Sequence, residues 1–141
     1  MVNRIFVWST AALLFPMFLG AQQPAGRDPV TENLFPPELV MSHQKAIELS
    51  DAQKAYIRSE LLKAQTHFTE LQWQLQDAME GLVSLVKEPS ADESQVMNQL
   101  DKVLTSEREI KRTQIALLVR IKNKLTPDQQ TRLQKLRAES K

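Results

Sequence analysis

From Ser50 to about Val86 the chain carries nine apolar residues at alternating spacings of four and three: Ile57, Leu61, Ala64, Phe68, Leu71, Leu75, Ala78, Leu82 and Leu85. No proline interrupts the run, and Gly81 is the one glycine within it. A seam with a period near 3.5 residues predicts a single long amphipathic helix. At 1.5 Å per residue such a helix is about 55 Å long. A chain of 141 residues cannot wrap a compact ball around that seam. The helix therefore needs a second long helix, a second chain, or both.

The second helix is present in the sequence. Lys87-Glu88-Pro89-Ser90 ends the first run, because proline cannot continue a helix. Ser90 with Glu93 reads as a capping box that starts the next helix. This helix places Val96, Leu100, Val103, Ile110, Leu117 and Ile121 on a comparable seam, with Glu107 and Gln114 as polar interruptions. A connection this short predicts an antiparallel hairpin. Folding it at Pro89 sets Gln114 opposite Gln65 and Arg108 opposite Glu70, so polar and ionic pairs are expected across its middle.

Shorter helices flank the hairpin. Pro37 to about Ile47 reads as the first, with Leu39, Val40, His43 and Ile47 on one side. Ser50 and Gln53 form an S-x-x-Q capping box at the start of the long run, with Leu49 placed to staple onto it. Thr126, Pro127 and Gln129 repeat that arrangement at the start of a last helix, whose apolar residues are Leu133 and Leu136. Few glycines and many helix formers after Pro37, with no alternating β-branched segment, give an all-α class. The expected architecture is a long antiparallel helical hairpin with short N- and C-terminal helices, four in all.

At the N-terminus, Arg4 precedes a mostly apolar stretch, Ile5 to Leu19, that is too short and too interrupted for a comfortable membrane span. Gly20-Ala21 offers small residues for cleavage, although Leu19 is a poor residue three before a cut after Ala21. We read residues 1–21 as a signal peptide, with an uncleaved membrane anchor as the alternative. No stable membrane span is expected after cleavage. Residues 22–34 read as a flexible linker, 35–138 as the helical domain and 139–141 as a frayed tail.

The absence of cysteine excludes disulfides, thiolate metal ligands, cysteine nucleophiles and a lipid-attachment cysteine. Removing Arg4 takes the formal charge from +1 to zero, which gives no global field for nucleic acid. The charge is nonetheless segregated. Acidic residues outnumber basic ones 14 to 7 from Gln22 to Glu107, and basic ones lead 10 to 3 from Arg108 to Lys141. Two helices of opposite charge lying side by side account for this, as does a basic face for acidic or unfolded partners.

The pentapeptides Leu49-Ser50-Asp51-Ala52-Gln53 and Leu125-Thr126-Pro127-Asp128-Gln129 resemble the LTxxQ motif of the Spy/CpxP family of periplasmic stress proteins, related to periplasmic heavy-metal sensor and resistance proteins. The resemblance covers about Phe35 to Ala138 and the signal peptide. It implies a four-helix, cradle-like protomer that forms a homodimer and serves the envelope stress response. It also implies one of three activities: ATP-independent holding of unfolded or envelope proteins, heavy-metal sensing or resistance, or inhibition of a sensor kinase.

Weighed singly, the motif residues Leu49, Ser50, Gln53, Leu125, Thr126 and Gln129 have a sufficient role as helix caps that bring two helix starts together. Trp73, Met79 and Val83 lie beside the main seam. They pack against a neighbouring helix or subunit, or form an apolar client-binding patch with Arg108 and Arg112 as its basic component. His43 and His67 are the only histidines, without metal-ligand spacing, and are weak metal candidates beside an ordinary helical role. No cofactor is expected. No phosphate loop, nucleophile elbow or zinc-protease motif is present, so no enzymatic activity is expected either. The leading function is a periplasmic chaperone or stress adaptor. A metal-responsive sensor or resistance protein is the first alternative, and a membrane-anchored structural or regulatory coiled coil the second.

Overall fold

The computed structural model describes residues 29–139. The expected signal peptide and the first part of the linker lie outside the described residues, as do positions 140 and 141. The described chain is helical with no strand: α1 (Pro29–Glu32), α2 (Pro37–Ser42), α3 (Asp51–Lys87), α4 (Glu93–Lys124) and α5 (Pro127–Glu139). The four expected helices are present, preceded by the single turn α1. Helices α3 and α4 form the hairpin, and α2 and α5 pack at its open end.

The predicted α3 seam is the observed one. Ile57, Ala64, Leu71 and Ala78, seven residues apart, are buried, and Leu61, Phe68, Leu75, Leu82 and Leu85 between them are half-buried. The α4 seam differs from expectation. It passes through buried Ser106 and half-buried Thr113, and Glu107 and Gln114 are exposed. From Val103 the buried line steps by three to Ser106 and then by four to Ile110. A small hydroxyl thus enters the seam and the carboxylate stays in water. The expected crossing pairs are also replaced. Glu70 lies 3.4 Å from His67, and Arg108 lies 3.7 Å from Glu109. Polar links that do cross the body of the hairpin include Arg120 to Glu60 at 3.1 Å and Gln99 Nε2 to the Ala78 carbonyl at 2.8 Å. Gly81 permits the second link, because a Cβ there would meet Gln99 Nε2 at 2.5 Å.

Three boundaries need correction. The cap of α4 is Asp92, whose carboxylate accepts the Gln95 N–H at 2.9 Å, and Ser90 stays in the turn. Aspartate caps as well as serine does, and Asp92 lies two residues beyond the expected cap. Helix α2 ends at Ser42, before Ile47, and the chain turns through residues 43–48. Leu49 N–H donates to the Gln44 carbonyl at 2.8 Å and Glu48 N–H to the Lys45 carbonyl at 3.1 Å. With Glu48 at φ 54, this is a Schellman reversal closed by a residue other than glycine. Finally, the stretch from Pro29 to Leu34, expected as linker, is tied down. Arg137 donates to the carbonyls of Glu32 and Leu34, and Lys122 to that of Asn33. The Arg137 guanidinium also lies 5.4 Å from the Phe35 ring centroid, a cation–π distance.

The main core sits at the open end. Phe35, Val40, Ile47, Leu49, Ile57, Ala64, Leu117, Ile121, Leu125 and Leu133 form one buried cluster. Both motif leucines therefore serve as core residues.

Candidate functional site

The two pentapeptides meet in one hydrogen-bonded junction. Gln53 N–H donates to Ser50 Oγ at 3.2 Å and Ser50 N–H to Gln53 Oε1 at 3.0 Å. Gln129 N–H donates to Thr126 Oγ1 at 3.2 Å and Thr126 N–H to Gln129 Oε1 at 2.9 Å. Both predicted capping boxes are closed. The glutamine side chains then pair with each other. Gln53 Nε2 donates to Gln129 Oε1 at 2.8 Å, and Gln129 Nε2 donates to Gln53 Oε1 at 3.1 Å. Each amide also reaches the chain leading into the other helix, Gln53 to the Lys124 carbonyl at 2.8 Å and Gln129 to the Ile47 carbonyl at 3.2 Å. Every oxygen faces a backbone N–H and every nitrogen a backbone carbonyl, so neither amide can be turned over without losing bonds. A capping glutamine satisfies one helix start; a pair of them latches two.

Outside the junction the hairpin has two unlike faces. Lys63, His67, Gln74 and Asp77 on one flank of α3 look toward Lys102, Thr105, Glu109, Arg112 and Ala116 on α4, and these residues line two grooves of about 930 and 600 Å³. The opposite flank of α3 carries Leu62 and Val83 on one heptad line, and Met79 and Val86 on the next. Geometry then sets Met97 and Leu104 of α4 on that same second face. All six are 39–65% exposed. The neighbouring α3 positions Gln65, Gln72 and Gln76 are polar and uncharged.

The candidate binding residues are accordingly divided. Met79 and Val83 share the apolar face. Trp73, 63% exposed, projects from the edge of α3 away from the seam. Arg108 and Arg112 line the larger groove on the charged face. Of the other residues beside the α4 seam, Leu118 is buried, and Ile115 and Val119 line that groove. Sequence reasoning missed Glu60, which is buried at 7% exposure between Lys63 at 2.8 Å and Arg120 at 3.1 Å. The Lys63 hydrogen bond and charge, with the Arg120 guanidinium, hold its carboxyl below the ordinary Glu value, against the opposing effect of burial. Its seven-residue spacing from His67 and Gln74 was the available signal.

The histidines are far from forming a metal centre. His43 Nδ1 lies 2.9 Å from the Leu39 carbonyl and 3.0 Å from Ser42 Oγ in the turn after α2. His67 meets Glu70 in the middle of α3. Among the described residues no group of three or more His, Cys, Asp or Glu side chains is arranged to hold a metal ion. No described helix is long and apolar enough to cross a membrane.

Neither a curated protein nor a solved structure matches the chain. The heavy-metal resistance family does, over residues 7–132. That span takes in the hairpin, both capping boxes and the first six residues of α5, and the chain belongs to the heavy-metal resistance family.

Proposed function

We propose that the protein is a periplasmic, ATP-independent chaperone or envelope-stress adaptor of the Spy/CpxP type, which holds non-native segments of other proteins on the apolar face of its hairpin. The observation that carries this reading is that face itself. Leu62, Met79, Val83, Val86, Met97 and Leu104 are each exposed, and helical spacing places them on one flank of a ribbon two helices thick. Exposed apolar side chains gathered on one face, rather than scattered singly, mark an interaction site. Methionine suits a surface that must fit many partners, because its unbranched thioether adapts its shape. The flanking glutamines add hydrogen-bonding capacity without charge and so do not select the sign of a client. Nothing in this scheme uses a nucleotide, a cofactor or a catalytic residue.

The test is suppression of client aggregation without ATP by the wild type and by Met79→Ser/Val83→Ser. The wild type should protect at near-stoichiometric amounts, and the double variant should lose most of that protection while keeping its helicity. Equal protection by both would refute the assignment of the face.

Family membership favours a second reading, a metal-responsive sensor or resistance protein. The donor set described above does not fit a resident metal centre, so no metal-dependent step is derived. A zinc titration followed by calorimetry and thermal melting tests this reading. A saturable site that raises the melting temperature would support it, and heats no larger than dilution would remove it.

A further inference from the structure

We propose that the larger groove on the charged face binds a single-chain amphiphile with an anionic head, such as a medium-chain carboxylate. This is a second site, separate from the apolar face on which protein clients are proposed to bind.

The floor of the groove is apolar. Ala64 of α3 and Ala116 of α4 contribute methyl groups where larger side chains would close the space, and Leu117, Ile115 and Val119 complete the lining. A trough floored by two alanines suits one alkyl chain. Its cavity of about 930 Å³ falls in the range of small-molecule sites.

The rim is cationic and unevenly neutralised. Toward the open end of the hairpin, Lys63 and Arg120 both bind the Glu60 carboxylate, at 2.8 and 3.1 Å. Toward the tip, Arg108 and Arg112 share the single carboxylate of Glu109, each at 3.7 Å. Both guanidiniums are about two-thirds or more exposed, at 65% and 73%. Two cations on one long-range anion leave positive charge for a further carboxylate. Guanidinium is the side chain best shaped to take one in a fork. Charge complementarity therefore places the head at Arg108 and Arg112. The tail then runs along Ala116 and Ile115 toward Val119, about 10 Å farther along the helix.

The experiment titrates the full chain by calorimetry with octanoate, decanoate and dodecanoate, each below its micelle concentration, and with dodecylammonium. Partial burial of each methylene should tighten binding about two- to fourfold per added carbon. Arg112→Glu, on an exposed side chain, should weaken decanoate by about tenfold or more, the loss of one charge-assisted contact. Ala116→Met should block the tail while leaving the melting temperature near that of the wild type. Met79→Ser/Val83→Ser should bind decanoate normally, which separates this site from the client face. Four outcomes would overturn the proposal: affinity independent of chain length, equal affinity for dodecylammonium, unchanged binding by Arg112→Glu, or binding seen only with anionic vesicles or acidic peptides.

Discussion

Replacing Gln129 by alanine tests whether the paired amides lock the two helix starts. The side chain is 8% exposed and makes four hydrogen bonds: it accepts from Thr126 N–H and Gln53 Nε2, and donates to the Ile47 carbonyl and Gln53 Oε1. Truncation leaves the Ile47 carbonyl, in a residue 1% exposed, without that donor. An orphaned buried acceptor costs about 1–3 kcal/mol. Half of a capping box adds about 0.5–1 kcal/mol. A total of about 3 kcal/mol follows from those ranges, equivalent to a fall of about 10–15 °C in melting temperature for a domain of this size. Gln53 is half-buried, so Gln53→Ala should cost less, about 1–2 kcal/mol.

The decisive quantity is the coupling between the two changes. Once one amide is gone, its partner has lost two of its four bonds, so the second truncation removes less. In urea unfolding, the double variant should be more stable than the sum of the single effects by about 1–2 kcal/mol. Gln129→Glu provides a control, since it keeps acceptor oxygens and loses both donated bonds. It should lie nearer to the alanine variant than to the wild type. Single effects that add to within about 0.3 kcal/mol would show that the glutamines cap their own helices and nothing more.

Three other substitutions probe local features. Glu48→Gly relieves a left-handed residue in the turn after α2 and should stabilise the fold by about 1 kcal/mol in urea unfolding, since the exposed Arg132 contact it loses is worth little. Gly81→Ala gains about 0.5–1 kcal/mol of helix propensity but displaces Gln99 from the Ala78 carbonyl, so it should be nearly neutral in the wild type and stabilising in a Gln99→Ala background. The depressed carboxyl of Glu60 contributes stability that is present above the ordinary Glu value, about 4.3, and is lost as pH falls through its lowered value. Melting temperatures of Glu60→Gln should therefore fall less steeply than those of the wild type over that acid range, and parallel profiles would contradict the role assigned to Lys63 and Arg120.

What was legible in the sequence is what periodicity and local capping encode. The α3 seam, its antiparallel partner and both capping boxes each depend on residues within a few positions of one another. The misreadings have physical causes. Ser90-x-x-Glu93 matches a capping box, but Asp92 two residues on caps α4 instead, and local pattern alone does not rank the two. Glu107 was placed on a seam by counting from apolar neighbours, but burial selects the small Ser106 one step earlier. The Gln53–Gln129 pairing joins residues far apart in sequence, so no local pattern announces it. Ala64 read as an ordinary small seam residue, and nothing local marked Ala116; only the packing of the two helices brings both to the lining of the larger groove. The candidate patch failed to stay together for a related reason: Met79 and Arg112 are both beside a seam, but on opposite sides of it.

Burial is graded along the ribbon, and this grading connects stability with the proposed work. The large core cluster and the amide latch sit together at the open end, with both glutamine capping boxes. Ala78 and Val103 are the last buried residues toward the tip, and none from 79 to 102 is buried. Only the half-buried Leu82, Leu85, Val96 and Leu100 hold the tip closed, with Gln99 at its edge. The exposed side chains Met79, Val83, Val86 and Met97 lie within that same segment. The surface proposed to hold clients thus lies where few buried contacts resist rearrangement, and the latch lies at the opposite, well-buried end. Native-state hydrogen exchange should show it directly: amides near Ile57 and Ile121 exchange through global unfolding, and those from 79 to 102 through a sub-global opening of lower free energy. The Gln53→Ala/Gln129→Ala variant should lower the first class and leave the opening of the tip nearly unchanged. Uniform protection along both helices, or an equal loss at both ends, would mean that the hairpin opens as one unit and that the apolar face works without local softness.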